Sequence, residues 1–195
     1  MYPKAFQKLI KNLASLPSVG PKMAERLVLF LFKQDIEKIR DFAENLLEIK
    51  NMQVCRKCFN IAEDHLCAYC KDSKRDQFSI CVVEEPLDII SLERTKAYNG
   101  LYHVLGGVIA VGDHGTALKI PELISRIENE KITEVILATN PTTEGDATAL
   151  YLKRKMQPLN IRITRLGRGL STGADLEYAD ELTLSEALTN RKVLL

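Results

Sequence analysis

The sequence predicts an α+β protein of several modules in series. An N-terminal helical region comes first, then a short cysteine-rich ribbon, an α/β domain with a mainly parallel sheet, and a C-terminal extension. Apolar residues recur at helical spacing before residue 53, two Cys-x-x-Cys pairs follow, and strand-like runs then alternate with helical segments. We place the modules at residues 1–53, 54–76, 77–172 and 173–195.

Charge is unevenly distributed along the chain. The net charge of the 195 residues is +1, but the first 33 residues carry six lysines and arginines against one acid. A basic start suits a surface that meets phosphate, although a solvated helix face would have the same composition. No apolar run reaches the ~20 residues of a membrane helix, and the N-terminus lacks a signal-peptide pattern. We therefore expect a soluble, cytoplasmic protein without a membrane partner.

Two helices flank a turn rich in proline and glycine. The first, at residues 4–15, has an apolar side formed by Phe6, Leu9, Ile10 and Leu13. The turn is Leu-Pro-Ser-Val-Gly-Pro-Lys at residues 16–22, where Pro21 suits the first position of a new helix. The apolar side predicted for that second helix comprises Met23, Leu27, Phe30 and Leu31. The pattern thus predicts a helical hairpin with a tight connection.

Helix, short hairpin and helix in this order resemble the helix-hairpin-helix DNA-binding motif. Backbone N–H groups at the turn and at the start of the second helix would form an anion site. Gly20, Lys22 and Arg26 are the predicted DNA-binding residues, and contacts to phosphate would be independent of base sequence. Ser18 stands where such motifs usually carry glycine. A plain helical hairpin is the alternative.

A third helix is predicted after Asp35, which would cap it, and should end near Met52. Its apolar stripe consists of Ile36, Ile39, Phe42, Ala43, Leu46 and Ile49. Packing against the rest of the chain is a sufficient account of this stripe.

Residues 55–70 contain two Cys-x-x-Cys pairs, formed by Cys55, Cys58, Cys67 and Cys70. Each pair can direct two thiolates at one point, and four thiolates suit one structural zinc ion per chain. Four ordinary buried or disulfide-bonded cysteines are the alternative. His65 is expected to be an exposed loop residue, and the fifth cysteine, Cys81, a small core residue. Four metal-binding thiols indicate a reducing compartment.

Strands and helices alternate after the ribbon, which predicts a parallel sheet. A polar linker is predicted at residues 71–77. The predicted strands are residues 78–83, 102–107, 134–139 and 162–166, the predicted helices begin at Pro86, Pro121 and Ala147, and a glycine-bearing loop occupies residues 111–115. A last helix-like stretch spans residues 182–188. In open parallel sheets, functional residues gather beyond the carboxyl ends of the strands.

An acid after the first strand and an acidic turn after a later one resemble the Toprim domain of topoisomerases and primases. There, a glutamate and an Asp-x-Asp pair hold magnesium against phosphates. This chain has Glu84 at the first position, but Asn140 and Thr142 replace the two aspartates, while Glu144 and Asp146 remain. We interpret this as a scaffold without catalysis. Glu144 and Asp146 could stabilise a helix start or dock a basic partner.

In order along the chain, these segments resemble the bacterial RecR family of recombination mediators. The resemblance depends on LPSVGPK, the ribbon, VVEEPLDI, ATNPTTEGDATALYL and the tail RLGRG…GADLEYADELTL. It implies a non-catalytic DNA clamp and adaptor in recombinational repair. Members act with RecO, and in many bacteria RecF, to load RecA onto single-stranded DNA coated by its binding protein. It also implies a ring-shaped homotetramer.

By that resemblance, Lys22 and Arg26 would line the DNA-facing hole, while Glu84, Glu144 and Asp146 would face RecO. Two other functions compete with this interpretation. A magnesium-dependent nuclease or topoisomerase-like enzyme could use those three acids, although the neutral Asn140 and Thr142 disfavour it. A nucleotide-binding module is suggested by VGDHGTALK, but its glycine spacing is wrong for a phosphate loop.

Overall fold

The fold is described from a computed structural model, which describes residues 2–110 and 117–193. The chain divides into two compact units, Met1–Met52 and Gln53–Leu195. The predicted loop at residues 111–115, together with most of the phosphate-loop-like segment, lies outside the described residues.

The N-terminal unit consists of three helices. They are α1 (Lys4–Ala14), α2 (Pro21–Phe32) and α3 (Ile36–Glu48), and a 3₁₀ turn at Ile49–Asn51 follows α3. The three predicted helices are thereby confirmed. Asp35 precedes α3 as predicted, and its carbonyl accepts the Ile39 N–H at 3.2 Å. Its side chain is exposed and makes no capping hydrogen bond.

The buried side of α2 differs from the prediction. Ala24 and Val28 are buried, whereas Met23 and Phe30 are 49% and 61% exposed. The prediction placed Met23, Leu27, Phe30 and Leu31 on the buried side, but α2 packs chiefly against α1, and one neighbouring helix covers only a narrow face. The Phe6 and Phe32 rings meet edge-on, with centroids 5.7 Å apart, at the margin of this contact.

The stripe on α3 was also predicted wrongly as a buried face. Ile36, Phe42, Leu46 and Ile49 are all exposed, and α3 contains no buried residue. A unit of about fifty residues cannot cover three amphipathic helices from within, because its surface is large relative to its volume. The N-terminal unit therefore presents apolar surface outward.

The second unit begins with the ribbon. Strands β1 (Gln53–Val54) and β2 (Ile61–Ala62) pair antiparallel, and a four-residue helix, α4 (Ala68–Lys71), follows. The sequence pattern does not reveal α4, because a segment this short leaves no apolar periodicity to detect. His65 is exposed, as expected.

A four-stranded parallel sheet forms the centre of the second unit, as predicted. Its strands are β3 (Asp76–Val83), β4 (Gly100–Val104), β5 (Glu134–Leu137) and β6 (Arg162–Arg165), in the order β4-β3-β5-β6. The accompanying helices are α5 (Pro86–Arg94), α6 (Ile120–Asn129), α7 (Thr143–Met156) and α8 (Glu181–Thr189), with 3₁₀ turns at Gln157–Leu159 and Leu176–Tyr178.

Side chains alternate across the sheet between two apolar clusters. On β3, Ile80 and Val82 join one cluster, and Cys81 and Val83 join the other. The first cluster includes side chains of α6 and α7, and the second includes Ile89 of α5. Cys81 is 2% exposed, which confirms it as a core residue. The core thus lies on both faces of the sheet.

Several predicted bounds shift by a few residues. β4 ends at Val104 rather than at residue 107, because Gly106 and Gly107 have φ values of 84° and 133°. α7 begins at Thr143 rather than at Ala147, because the Thr142 hydroxyl accepts the Gly145 N–H at 3.0 Å and caps the helix. β3 begins at Asp76, within the predicted linker.

The ribbon covers the β4 edge of the sheet. The Cys58 carbonyl accepts the Val104 N–H at 2.8 Å, and the Phe59 and His103 rings meet edge-on at 5.3 Å. Tyr69 lies against Tyr102 in the same manner, with ring centroids 5.5 Å apart. Within the second unit, ribbon and sheet therefore form one continuous body. Among the helices of the described ranges, none has the length and apolar character needed to span a membrane.

Candidate functional site

The four predicted metal ligands come together in the ribbon. The Sγ atoms of Cys55, Cys58, Cys67 and Cys70 all lie within 4.8 Å of one another. Cys55, Cys58 and Cys67 are buried, and none of the four forms a disulfide. The spacing fits tetrahedral coordination, in which Zn–S bonds of about 2.3 Å place sulfur atoms about 3.8 Å apart.

Local backbone geometry explains why the cysteines converge. The Phe59 N–H donates to the Cys55 carbonyl at 2.9 Å, and the Cys55 N–H donates to the Asn60 carbonyl at 2.8 Å. Phe59 has a φ of 64°, which completes this tight turn. Hydrogen bonds from the Cys58 and Cys70 thiols lower the pKa of Cys67 well below its usual range. The pKa values of Cys58 and Cys70 are raised in return, so these bonds favour a thiolate at Cys67 alone.

The hairpin in the N-terminal unit is closed by backbone hydrogen bonds. The Val19 N–H donates to the Leu16 carbonyl at 3.1 Å, and the Ala24 N–H donates to the Gly20 carbonyl at 3.0 Å. Ser18 occupies the left-handed region with a φ of 63°. This conformation explains why glycine would suit position 18, and serine accepts some strain there.

The start of α2 has the features of an anion site. Gly20 is the N-cap and Pro21 the first helical residue, so the N–H groups of Lys22 and Met23 have no acceptor within the helix. Nothing lies within 4 Å of a Cβ built at Gly20, which leaves room for a ligand at the turn. Lys22 and Arg26 are exposed one helical turn apart. The binding of DNA by these three residues stays a prediction.

Glu84 and Asn140 are bonded to each other beyond the carboxyl ends of β3 and β5. Glu84 Oε1 accepts the Asn140 backbone N–H, and Oε2 accepts its Nδ2 amide, both at 2.6 Å. Glu84 is only 8% exposed. Gly145 closes over this pair: a Cβ there would lie 2.1 Å from the Asn140 carbonyl oxygen and 3.1 Å from Glu84 Oε1. Sequence reasoning missed this role of Asn140, although its position after a neighbouring strand was a usable signal.

Asp146 is bonded to two arginines, one at the end of β6 and one just beyond it. Arg165 and Arg168 both donate to Oδ1, and Arg168 Nη1 also donates to Oδ2 at 3.0 Å. The hydrogen bond from Arg168, opposed by desolvation and reinforced by Arg165, lowers the pKa of Asp146. From the sequence, Arg165 and Arg168 could meet phosphate or acidic side chains, or equally be solvated loop residues, and in the structure they contact an acid.

The three acids predicted to face RecO thus have different environments. Glu84 is buried and Asp146 is paired, but Glu144 is exposed in the first turn of α7. Both predicted explanations of Glu144 and Asp146 remain compatible with these positions. Glu144 is the one of the three with a carboxylate that is exposed and has no hydrogen-bond partner among the described residues.

The phosphate-loop-like segment is only partly described. Of its residues, Lys119 places Nζ 3.4 Å from Glu122 Oε1 and 5.3 Å from the centroid of the Phe59 ring. The lysine therefore already has an acidic and an aromatic partner. Residues 111–116 of this segment lie outside the described ranges.

Three family models match successive parts of the chain. The model described as RecR, helix-hairpin-helix matches residues 6–50, the Toprim domain model matches residues 79–167, and the model described as RecR, C-terminal matches residues 169–192. The helix-hairpin-helix and Toprim regions identified from the sequence are therefore confirmed.

Similar proteins are aligned over nearly their whole length. Recombination protein RecR of Chloroflexus aggregans is 52% identical over 190 residues, which cover 96% of this chain and 93% of that protein. Recombination protein RecR of Frankia casuarinae is 47% identical over 197 residues, which cover 100% and 99%. That of Dehalococcoides mccartyi is 48% identical over 191 residues, which cover 96% and 94%.

Proposed function

The chain belongs to the RecR family of recombination proteins, as predicted from its sequence, and we propose that it is a non-catalytic DNA-binding clamp and adaptor in recombinational DNA repair. In this role it acts in the cytoplasm with RecO, and with RecF where present, to load RecA onto single-stranded DNA coated by single-strand binding protein. The observation that carries the proposal is the hairpin of the N-terminal unit, where Lys22 and Arg26 flank the open turn at Gly20.

Phosphate recognition follows from the chemistry of that hairpin. Unbonded N–H groups at the start of α2 and its positive dipole end favour an anion, and the two cationic side chains extend the contact. Such contacts carry no base sequence information, so binding is sequence-independent. One hairpin supplies few contacts. A ring-shaped homotetramer multiplies them by symmetry, and the exposed apolar side chains of the N-terminal unit support assembly.

The environments of Glu84 and Asp146 support the absence of catalysis. A magnesium site for phosphoryl transfer needs carboxylates that converge with free lone pairs. Asn140 donates to both oxygens of Glu84, and Arg165 and Arg168 donate to both oxygens of Asp146. In our proposal these bonds hold the turn in place, and Glu144 is the acid that contacts RecO.

Zinc is the metal we propose for the ribbon, one ion per chain held by Cys55, Cys58, Cys67 and Cys70. Four thiolates at tetrahedral spacing match its preferred structural coordination, and a fully thiolate-bound ion has no open position for a substrate. When bound, the ion supplies a cross-link between the two halves of the ribbon. The cysteines hold the ribbon against β4 through the Cys58 carbonyl.

Salt-dependent binding to single-stranded DNA tests the clamp. The double variant Lys22→Ala with Arg26→Ala should bind DNA more weakly. Its plot of log K against log salt should also be less steep, by about 0.7 for each phosphate that is no longer neutralised. The matched control is Lys38→Ala with Arg40→Ala, which removes the same charge from exposed positions of α3. An unchanged slope in the first variant would exclude the assignment. DNA recovered after incubation with the protein and magnesium should be intact. Shortened or relaxed DNA would instead favour the alternative function as a magnesium-dependent nuclease or topoisomerase-like enzyme.

Partner binding is tested separately with purified RecO. Glu144→Lys should abolish association while leaving the oligomer mass unchanged by light scattering. The control, Glu128→Lys, reverses an exposed acid on α6 and should retain association. If the two variants bind RecO equally well, Glu144 is not part of the RecO contact.

A further inference from the structure

The second cysteine pair, Cys67 and Cys70, lies on a helix that is too short to be stable alone. Cys67 is the N-cap of α4 and Cys70 its third residue, and α4 has four residues, none of them buried. A single helical turn forms few hydrogen bonds for the residues that it orders. The position of α4 must therefore be set by contacts outside the helix, and Tyr69, which stands between the two cysteines, makes them.

Tyr69 packs against the sheet and against a buried arginine. Its ring meets the Tyr102 ring of β4 edge-on. The Arg75 guanidinium carbon lies over both rings, 5.1 Å from the centroid of Tyr69 and 5.5 Å from that of Tyr102. Arg75 is 8% exposed. Attraction between a cation and an aromatic ring grows when the cation is shielded from water, so this burial strengthens the contact with Tyr69.

Arg75 is itself fixed by hydrogen bonds to β4 and α5. Its Nε donates to the Gly100 carbonyl, at the start of β4, at 2.8 Å. Nη1 donates to Glu93 Oε2 at 3.2 Å, and Nη2 donates to Glu93 Oε1. The Tyr102 hydroxyl donates to the same Oε1 atom at 2.6 Å. Bidentate pairing fixes the plane of a guanidinium as well as its position, so Arg75 presents a fixed surface to Tyr69.

The two cysteine pairs thus have separate attachments to β4. The first pair is attached through the Cys58 carbonyl and the Val104 N–H, and the second through Tyr69 and Arg75. We propose that Arg75 is a positioning residue of the metal cluster. By holding the Tyr69 ring, it orients α4 so that the second cysteine pair faces the first. The inference rests on the zinc proposed for the ribbon, and Arg75 acts on its affinity without touching the ion.

Competition between the full-length protein and a chelator for zinc tests this role. Arg75→Lys keeps the positive charge but lacks the planar, bidentate group, and it should weaken zinc affinity about tenfold. Leu152→Ala is the control, because it truncates a buried side chain of the cluster on the other face of the sheet. Its zinc affinity should stay within about twofold of the wild type. Equal losses in the two variants would reduce the effect to general destabilisation and overturn the proposal.

A double-mutant cycle through Tyr69 tests the route of the effect. Tyr69→Phe keeps the ring and should bind zinc within about twofold of the wild type, whereas Tyr69→Leu should bind it about tenfold more weakly. Adding Arg75→Lys to Tyr69→Leu should cause less than about twofold further loss, because the ring that Arg75 holds is gone. Independent losses that multiply in the double variant would overturn the proposal. The two Tyr69 variants decide the question even if Arg75→Lys does not fold.

Cobalt(II) in place of zinc reports the ligand geometry directly. Tetrahedral thiolate coordination gives cobalt an intense d–d absorption, which should weaken in Arg75→Lys and persist in Leu152→Ala. One ion per chain with equal affinity in the wild type and Arg75→Lys would overturn the role of Arg75 alone. A wild-type protein that binds no ion would overturn the zinc assignment and this inference with it.

Discussion

The two units differ in where their apolar side chains lie. In the second unit, Ile80, Leu101, Leu123 and Leu152 are completely buried, and the sheet has apolar clusters on both faces. In the N-terminal unit, Ala24 and Val28 are buried, while large side chains such as Phe32 are mostly exposed. The same amphipathic pattern that builds a core in one unit leaves an uncovered surface in the other. The second unit is organised by its own packing, and the first is suited to be covered on assembly.

Removal of a metal ligand should have the largest effect and should affect the second unit alone. Cys67→Ser should abolish metal binding and reduce folding yield, because apparent zinc binding free energies of about 10–16 kcal/mol drive the folding of small zinc modules. Native mass spectrometry would count the ions, and hydrogen exchange would compare the two units. The control Cys81→Ala changes a buried thiol outside the cluster and should keep one ion per chain. A well-folded, metal-free Cys67→Ser protein would contradict a structural role for the ion.

A core truncation should come next. Leu152→Ala should lower the free energy of unfolding by about 2–5 kcal/mol, because Leu152 is fully buried and its truncation leaves a cavity in the core. Phe32→Ala removes a side chain that is 75% exposed and should cost about 1 kcal/mol or less while reducing oligomer mass. Urea unfolding and light scattering measure the two quantities. Equal destabilisation by both variants would contradict the difference in apolar burial between the two units.

Acid should weaken the second unit through His103. The side chain is completely buried, and this burial lowers its pKa from 6.5 to about 4. The positive charge of Arg126 also lowers the pKa, whereas the hydrogen bond to the Lys119 carbonyl and the charge of Glu122 raise it. The unfolded chain therefore binds the proton first as pH falls. The contribution of His103 is fully present above about pH 6.5 and is lost as pH falls towards 4.

The size of this loss should be about 2–3 kcal/mol by pH 4, since each pKa unit corresponds to about 1.4 kcal/mol. His103→Gln removes the titrating group, so its unfolding free energy should vary less steeply with pH between 6.5 and 4. Urea titrations at several pH values compare the two proteins. Parallel pH profiles would show that His103 does not carry the effect.

The smallest effect is expected in the N-terminal hairpin. Ser18→Gly should relieve the left-handed conformation at φ 63° and stabilise α1 and α2 by up to about 1 kcal/mol. Hydrogen exchange at the α1 and α2 amides would detect it, with Ser15→Gly as the control at a right-handed position. Stabilisation by both substitutions, or by neither, would mean that the turn is not strained.

Local chemistry explains what could be predicted from the sequence. The cysteine spacing placed the metal cluster, the Pro-Gly turn placed the hairpin, and alternating strands and helices placed the parallel sheet. The pairing of Asp146 with Arg165 and Arg168 could not be predicted uniquely, because the arginines are 19 and 22 positions away from Asp146 and could equally have met phosphate or solvent. The buried side of α2 was predicted wrongly, because periodicity shows that a face is apolar without showing whether anything covers it.

The hydrogen bond between the Cys58 carbonyl and the Val104 N–H also bears on how the chain avoids aggregation. β4 is an edge strand, and an uncovered edge is a template for pairing with other chains. The ribbon is synthesised before β4, so a ribbon that has bound the proposed ion would be ready to cover that edge as soon as the strand forms. A chain made under metal shortage would expose it. Metal supply during translation should therefore determine how much of the protein reaches the soluble fraction.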